Sequence, residues 1–169
     1  MKFWRIIPGE PPVRSTILGK FIRENYIAIG WNSVRDLTHV SEDDLEAVCR
    51  EDLSELKESW ISAAIRAFRD FRYKMREGDL VVVSGDGFVY ATGKIVSPYY
   101  KVEEPPSLPD DVWNLGFYSF YHRRNVEWNK VIKFPFTNLP ENIARKLGTP
   151  PTLVELTLDE WLSLTFALP

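Results

Sequence analysis

GDLVVVSGDGFVYATGKIV, residues 78–96, decides the fold. Leu80–Val83 is an unbroken apolar run, too short for a helix, and reads as a buried strand. Ser84-Gly85-Asp86-Gly87 supplies the small, conformationally permissive residues of a hairpin turn. Phe88–Val96 returns as the partner strand, Phe88, Tyr90 and Thr92 alternating against Val89 and Ala91. Gly93 inside it permits a bulge or a close approach, and Pro98 ends it.

Working toward the N-terminus, Glu77-Gly78-Asp79 halts a helix expected to start at the capping signals of Asp52 and Glu55 and to run to about Met75. Its apolar stripe is Leu56, Trp60, Ala64, Phe68, Phe71 and Met75, and its other face is basic. An acidic helix opens at Ser41, with Asp44 three residues on in a capping position. Asn25–Trp31 is a strand, Ile17, Leu18, Phe21 and Ile22 recur at helical spacing, and Lys2–Ile7 is a first strand closed by Pro8-Gly9. Toward the C-terminus, Lys101–Asp111 is a proline-rich acidic surface loop and Trp113–Tyr121 the densest aromatic stretch. Val126–Phe136 alternates as a strand, and Pro140–Leu147, closed by Gly148, is a short helix. Thr157-Leu158-Asp159-Glu160 is a capping box opening a last helix with Trp161, Leu162 and Phe166 on one side. This order is neither alternating βαβ nor all-β. It predicts an α+β domain over residues 1–169, a small curved sheet or partly closed β-barrel flanked by helices.

Composition narrows the function classes. The 169 residues, 44% of them hydrophobic, suffice for one core. No apolar run approaches the roughly 20 residues that cross a bilayer, and MKFWRIIPG lacks the apolar stretch of a signal peptide, so a cytoplasmic setting is expected. Cys49 is the only cysteine, which excludes an internal disulfide and a cysteine-based zinc cluster. His39 and His122 have no nearby ligand partners, so neither a metal nor another cofactor is expected. The net charge is −3, but Glu42–Glu58 holds eight acidic and two basic residues, a local −6 that leaves +3 to the rest. A local positive face is what a phosphate backbone requires.

Few residues suggest catalysis. Glu127-Trp128-Asn129-Lys130 approximates the Glu-x-Lys arm of a metal-dependent nuclease, and an exposed strand edge is the plainer reading. Ser84–Gly87 joins two strands, so no helix N-terminus follows it to hold a phosphate. The acidic run is a solvated helix face or a docking surface for a protein. A binding module, not an enzyme, is expected. Two features carry that reading. Arg66, Arg69, Arg72, Lys74 and Arg76 lie on one helix, suited to phosphate or else ordinary surface charge. Among the six tryptophans, Trp4, Trp60, Trp128 and Trp161 fall within apolar patterns, whereas Trp31 and Trp113 do not. A flipped base needs flat aromatic walls, an amide or backbone group for its edge, and cations for flanking phosphates. Trp31 followed by Asn32 offers a wall and an amide.

The ordered series FWRII, YIAIGWN, the basic helix, residues 78–96, SPYYKVEEP and EWNKVIKFPF resembles the EVE and YTH domains of the PUA-like group over most of the chain. That resemblance implies a small α+β barrel binding a modified base in an aromatic cage. Gly30-Trp31 matches the first cage wall and Asn32 the polar residue after it, while Pro8 to Glu10 lie where base-edge contacts are placed. Trp113, Phe117, Tyr118 and Tyr121 compete for the second wall. The chain is similar, more narrowly, to the N-terminal recognition domain of archaeal McrB-type restriction GTPases. This implies binding of N6-methyladenine in double-stranded DNA, Arg66, Arg69, Arg72, Arg123 and Arg124 as phosphate contacts, and a C-terminal AAA+ GTPase module and a McrC nuclease as partners. A YTH-type reader of N6-methyladenosine in RNA is the alternative, and a nuclease a weaker one.

Overall fold

The computed structural model describes residues 1–9, 14–103 and 120–169. Its strands are β1 (Phe3–Ile6), β2 (Tyr26–Ile29), β3 (Leu80–Gly85), β4 (Phe88–Ile95), β5 (Tyr100–Lys101), β6 (His122–Pro135) and β7 (Leu153–Leu156). The helices are α1 (Arg14–Glu24), α2 (Leu45–Asp52), α3 (Glu58–Phe68), α4 (Glu141–Gly148) and α5 (Leu158–Ala167). Strand order is β2-β6-β4-β3-β1-β7, with β5 also on β6. β1 runs parallel to β3, and the other pairings among the described residues are antiparallel. The result is an α+β half-barrel, the curled sheet expected from residue order.

The Leu80–Val83 run is continuous because β3 is covered on both faces. Val81 and Val83 join Trp4 and Ile6 in the large core beneath α1, α2 and α3. Val82 faces the other way, with Phe3, Val89 and Leu156, into a smaller core under α4 and α5. Curl enters at irregularities in the register: between Val83 and Ser84 in β3, and between Val89 and Ala91 and between Thr92 and Gly93 in β4. At Gly93 both sequence expectations coincide. A Cβ there would lie 2.6 Å from Val126 Cγ1, 2.7 Å from the Glu127 carbonyl oxygen and 2.8 Å from Trp128 Cε3, so only glycine lets β6 come this close.

Buried Asp79 fixes the start of β3 against β1. Its carboxylate accepts from Lys2 N at 2.8 Å, Trp4 Nε1 at 2.9 Å and Arg76 N at 3.0 Å. Both expected caps at Ser41 and Thr157 form. Ser41 Oγ accepts from Asp44 N, and Thr157 and Glu160 bond reciprocally at 3.2 and 2.8 Å.

Three expectations need correction. The long basic helix begins at Glu58 and stops at Phe68, where a π turn, Arg69–Lys74, takes over. Asp52 caps nothing, because its carboxylate holds the Arg35 guanidinium at 2.6 and 2.9 Å. Trp60 is 59% exposed, since Ile61, Ala64, Ile65 and Phe68 form the stripe that faces the core. Among the described residues no helix is long and apolar enough to cross a membrane. Cys49 is buried, which pushes its thiol up to about 11, far from a nucleophile's range.

Candidate functional site

β2 ends at Ile29, and Gly30-Trp31 leads the chain out of the sheet. Trp31 has φ +58°, in the left-handed region that a bulky side chain avoids. Such strain persists only where neighbours impose it, and it gathers at functional sites. Here the neighbours are identifiable. The Trp31 carbonyl accepts from Val34 N at 3.0 Å and from His122 Nε2 at 3.2 Å. Because a carbonyl can only accept, Nε2 carries the proton and Nδ1 is the acceptor for Tyr99 OH at 2.7 Å, whose oxygen in turn accepts from Leu37 N at 3.2 Å. Burial, and secondarily the Lys101 charge, lowers His122 to about 4, so the ring is neutral. Phe68 meets the His122 ring edge-on at 4.6 Å and the Trp31 ring at 6.0 Å.

The half-buried Trp31 indole lines a hollow of about 540 Å3. Ala63, Arg66, Ala67 and Asp70 line it from α3 and the start of the π turn, at spacings of three and four that put them on one side of the helix. Arg69 and Lys74 complete that side, and Pro150–Leu153 form the opposite wall. The two alanines leave room, and three cations face one carboxylate. Lys74 Nζ lies 2.8 Å from Asp70 Oδ1, and Arg69 Nε 3.7 Å from Glu42 Oε1. Arg66 is exposed and makes no ion pair with a described residue. Behind the opposite wall sits buried Arg5, donating to the Pro151 and Thr149 carbonyls at 2.6 and 2.5 Å. Its burial lowers it to about 10. Arg5 thus holds the wall from β1.

The other expected site residues divide. Arg66 and Arg69 lie on the rim of the hollow. Arg72 turns away, bonding the Leu37 and Thr38 carbonyls at 3.1 and 3.0 Å and covering the Tyr73 and Tyr99 rings. Arg124 is buried and donates to the carbonyls of Phe71, Ser97 and Arg72, so the phosphate contact expected of it is corrected to a structural one. Arg123 lies 4.0 Å over the Tyr26 ring and donates to the Phe120 carbonyl, away from the hollow. Asn32 is beside the hollow without lining it; its Oδ1 accepts from Tyr121 N at 3.1 Å and its carbonyl from Lys101 Nζ at 2.9 Å. Tyr121 is buried at the head of β6 and also does not line the hollow. Buried Pro8 borders a separate hollow of about 420 Å3, whose lining includes Ile7, Gly9, Arg14 and the β3–β4 turn. Glu10, Trp113, Phe117 and Tyr118 lie outside the described residues. Sequence reasoning missed the Pro150–Leu153 wall, Asp70 as a lining group, and the alanines; Ala63 and Ala67, four apart on a basic helix face, were the available signal. Among the described residues no group of three or more His, Cys, Asp or Glu could hold a metal ion.

The half-barrel is shared with solved structures of YTH domains. One Mmi1 YTH domain is 11% identical with a TM-score of 0.50, covering 98% of this chain and 95% of that one. Another is 10% identical with a TM-score of 0.50, covering 98% and 73%. The YTH domain of Zygosaccharomyces rouxii MRB1, solved in complex with N6-methyladenosine RNA, is 11% identical with a TM-score of 0.47, covering 98% and 84%. No curated protein matches the chain in sequence. A family model described as a domain of unknown function, DUF8426, matches residues 4–157, and the chain, a YTH-like half-barrel by its fold, belongs to that family.

Proposed function

We propose that this protein reads nucleic acid by taking a flipped, methylated base into the hollow beside Trp31. The observation that carries the reading is a half-buried indole, held in a strained backbone conformation, that walls an open cavity rimmed by Arg66, Arg69 and Lys74. A volume of about 540 Å3 falls within the range of small-ligand sites, about 300–1,000 Å3. An indole face stacks a base for about 1–3 kcal/mol, and burying a methyl adds about 0.8 kcal/mol, close to a fourfold preference. Asp70 offers an acceptor for an exocyclic base N–H, while the cations hold the flanking phosphates. The protein acts by binding, without catalysis of its own.

In its fuller form the base is N6-methyladenine in double-stranded DNA. The domain then directs a McrBC-type assembly, an AAA+ GTPase module and a McrC nuclease, to methylated sites. Titrating matched methylated and plain oligonucleotides, as DNA and as RNA, tests both levels. The methylated DNA duplex should bind best, and Trp31→Ala should remove the methyl preference and weaken binding about tenfold. A methyl preference retained by Trp31→Ala refutes the cage, and preference for RNA over DNA moves the function to an RNA reader.

A further inference from the structure

Trp60, which the apolar periodicity of the sequence assigned to the core, stands 59% exposed at the beginning of α3. It precedes Ala63 and Ala67 by three and seven residues, so its indole lies toward the side of α3 that lines the hollow, one and two turns earlier. No ring of another described residue stacks on it. On its own side of the helix the next positions are the small Ala63 and Ala67, and Arg66, which makes no ion pair with a described residue, joins them farther along at the hollow. Glu58, at the start of the same helix, is held by Arg50 at 2.8 Å. The other large exposed apolar residues among those described, Met1, Val96, Val131, Leu158, Leu162 and Phe166, lie off α3. A flat π face set apart from the other exposed apolar residues described, on a helix that presents small side chains and then cations toward the hollow, suits a planar ligand better than the broad apolar patch of a protein interface.

We propose that Trp60 is a stacking platform for a second base of the strand whose flipped base occupies the hollow, an inference that rests on the base-reader assignment. At 1.5 Å per helical residue, Trp60 is about 10 Å along α3 from Ala67. Stacked nucleotides rise about 3.4 Å each, so the platform meets a base two or three positions from the flipped one. Arg66, one residue before Ala67 on the rim of the hollow, supplies a cation for the phosphates leading away from the flipped base. Trp60 therefore sets strand affinity and footprint, whereas Trp31 sets the preference for methyl.

The test is fluorescence anisotropy of Trp60→Ala, Trp60→Phe and Trp31→Ala with methylated and plain nine-nucleotide DNA and the matching duplexes, together with competition by free N6-methyladenosine nucleoside. Trp60→Ala should bind the nine-mer about tenfold more weakly, keep its methylated-to-plain ratio and leave nucleoside affinity unchanged, with Trp60→Phe near the wild type. Exposure of Trp60 predicts unchanged melting temperatures, which separates this loss from misfolding. Wild-type affinity of Trp60→Ala for the nine-mer overturns the platform alone, provided Trp31→Ala loses methyl preference. A drop in nucleoside affinity or in the methyl ratio with Trp60→Ala overturns it as well, because the indole would then act at the hollow. Failure of the wild-type protein to bind either oligonucleotide or nucleoside overturns the base-reader assignment and the platform together.

Discussion

Acidification should destabilise the fold through His122, the ring that anchors the Trp31 carbonyl. In the folded protein His122 titrates at about 4, against 6.5 for the ordinary side chain, because the ring is buried and, secondarily, because the Lys101 charge lies near it. Above pH 6.5 the imidazole is neutral in both folded and unfolded chains and contributes no pH dependence. Between 6.5 and about 4 the unfolded chain takes up a proton that the folded one refuses, so stability falls as pH falls. At pH 5 the linkage relation gives a loss of about 2 kcal/mol, and below pH 4 it levels off at about 3 kcal/mol. Protonation of Nδ1 would also turn an acceptor into a donor facing a hydroxyl that already accepts from Leu37 N. Carboxylates held by cations, such as Asp52 and Glu58, lose stability in the same acid direction, so the measurement must be a difference. Urea unfolding of wild type and His122→Gln at pH 7 and pH 5 supplies it. The wild type should lose about 2 kcal/mol more than the variant over that interval. Equal losses would show that His122 is not a buried neutral ring and would break the chain of contacts placing Trp31.

Other outcomes follow from the same geometry. Arg66→Ala and Lys74→Ala should each lower the steepness of the salt dependence of oligonucleotide binding by about one unit of log K per log salt, read from titrations between 50 and 200 mM salt, roughly. Arg124→Ala should leave that slope alone and instead destabilise the protein by about 3 kcal/mol, because three backbone carbonyls lose their donor. Gly93→Ala should cost about 1–3 kcal/mol in thermal or chemical unfolding, since the added methyl meets the Glu127 carbonyl oxygen at 2.7 Å.

The parts of the fold legible in sequence were those with a local signature. The Ser84–Gly87 turn, the glycine in β4, the Thr157 capping box and the doubly buried valines each announce themselves within a few residues. Trp31 was legible for the same reason, as an indole stranded after a strand-ending glycine. What failed depended on distant partners. Asp52 looks like a cap until Arg35, seventeen residues away, claims its carboxylate. Arg124 and Arg66 are indistinguishable as letters; only the curl of β6 carries one into the interior and leaves the other on the rim. Trp60 fits a helical stripe whose phase, shifted by one residue toward Ile61 and Ile65, puts it outside. β7 is four residues long after two prolines, and its identity as a strand comes from pairing with β1, some 150 residues earlier.

That pairing has a consequence for assembly. The hollow's opposite wall, Pro150–Leu153, runs directly into β7, so the strand that comes last within the described sheet both covers the open edge of β1 and encloses the cavity. A chain in which it has not yet docked displays a bare strand edge and half a pocket. Ligand competence and completion of the sheet therefore arrive in one event, and a chain lacking β7 would be both unable to bind and prone to pair with its own kind.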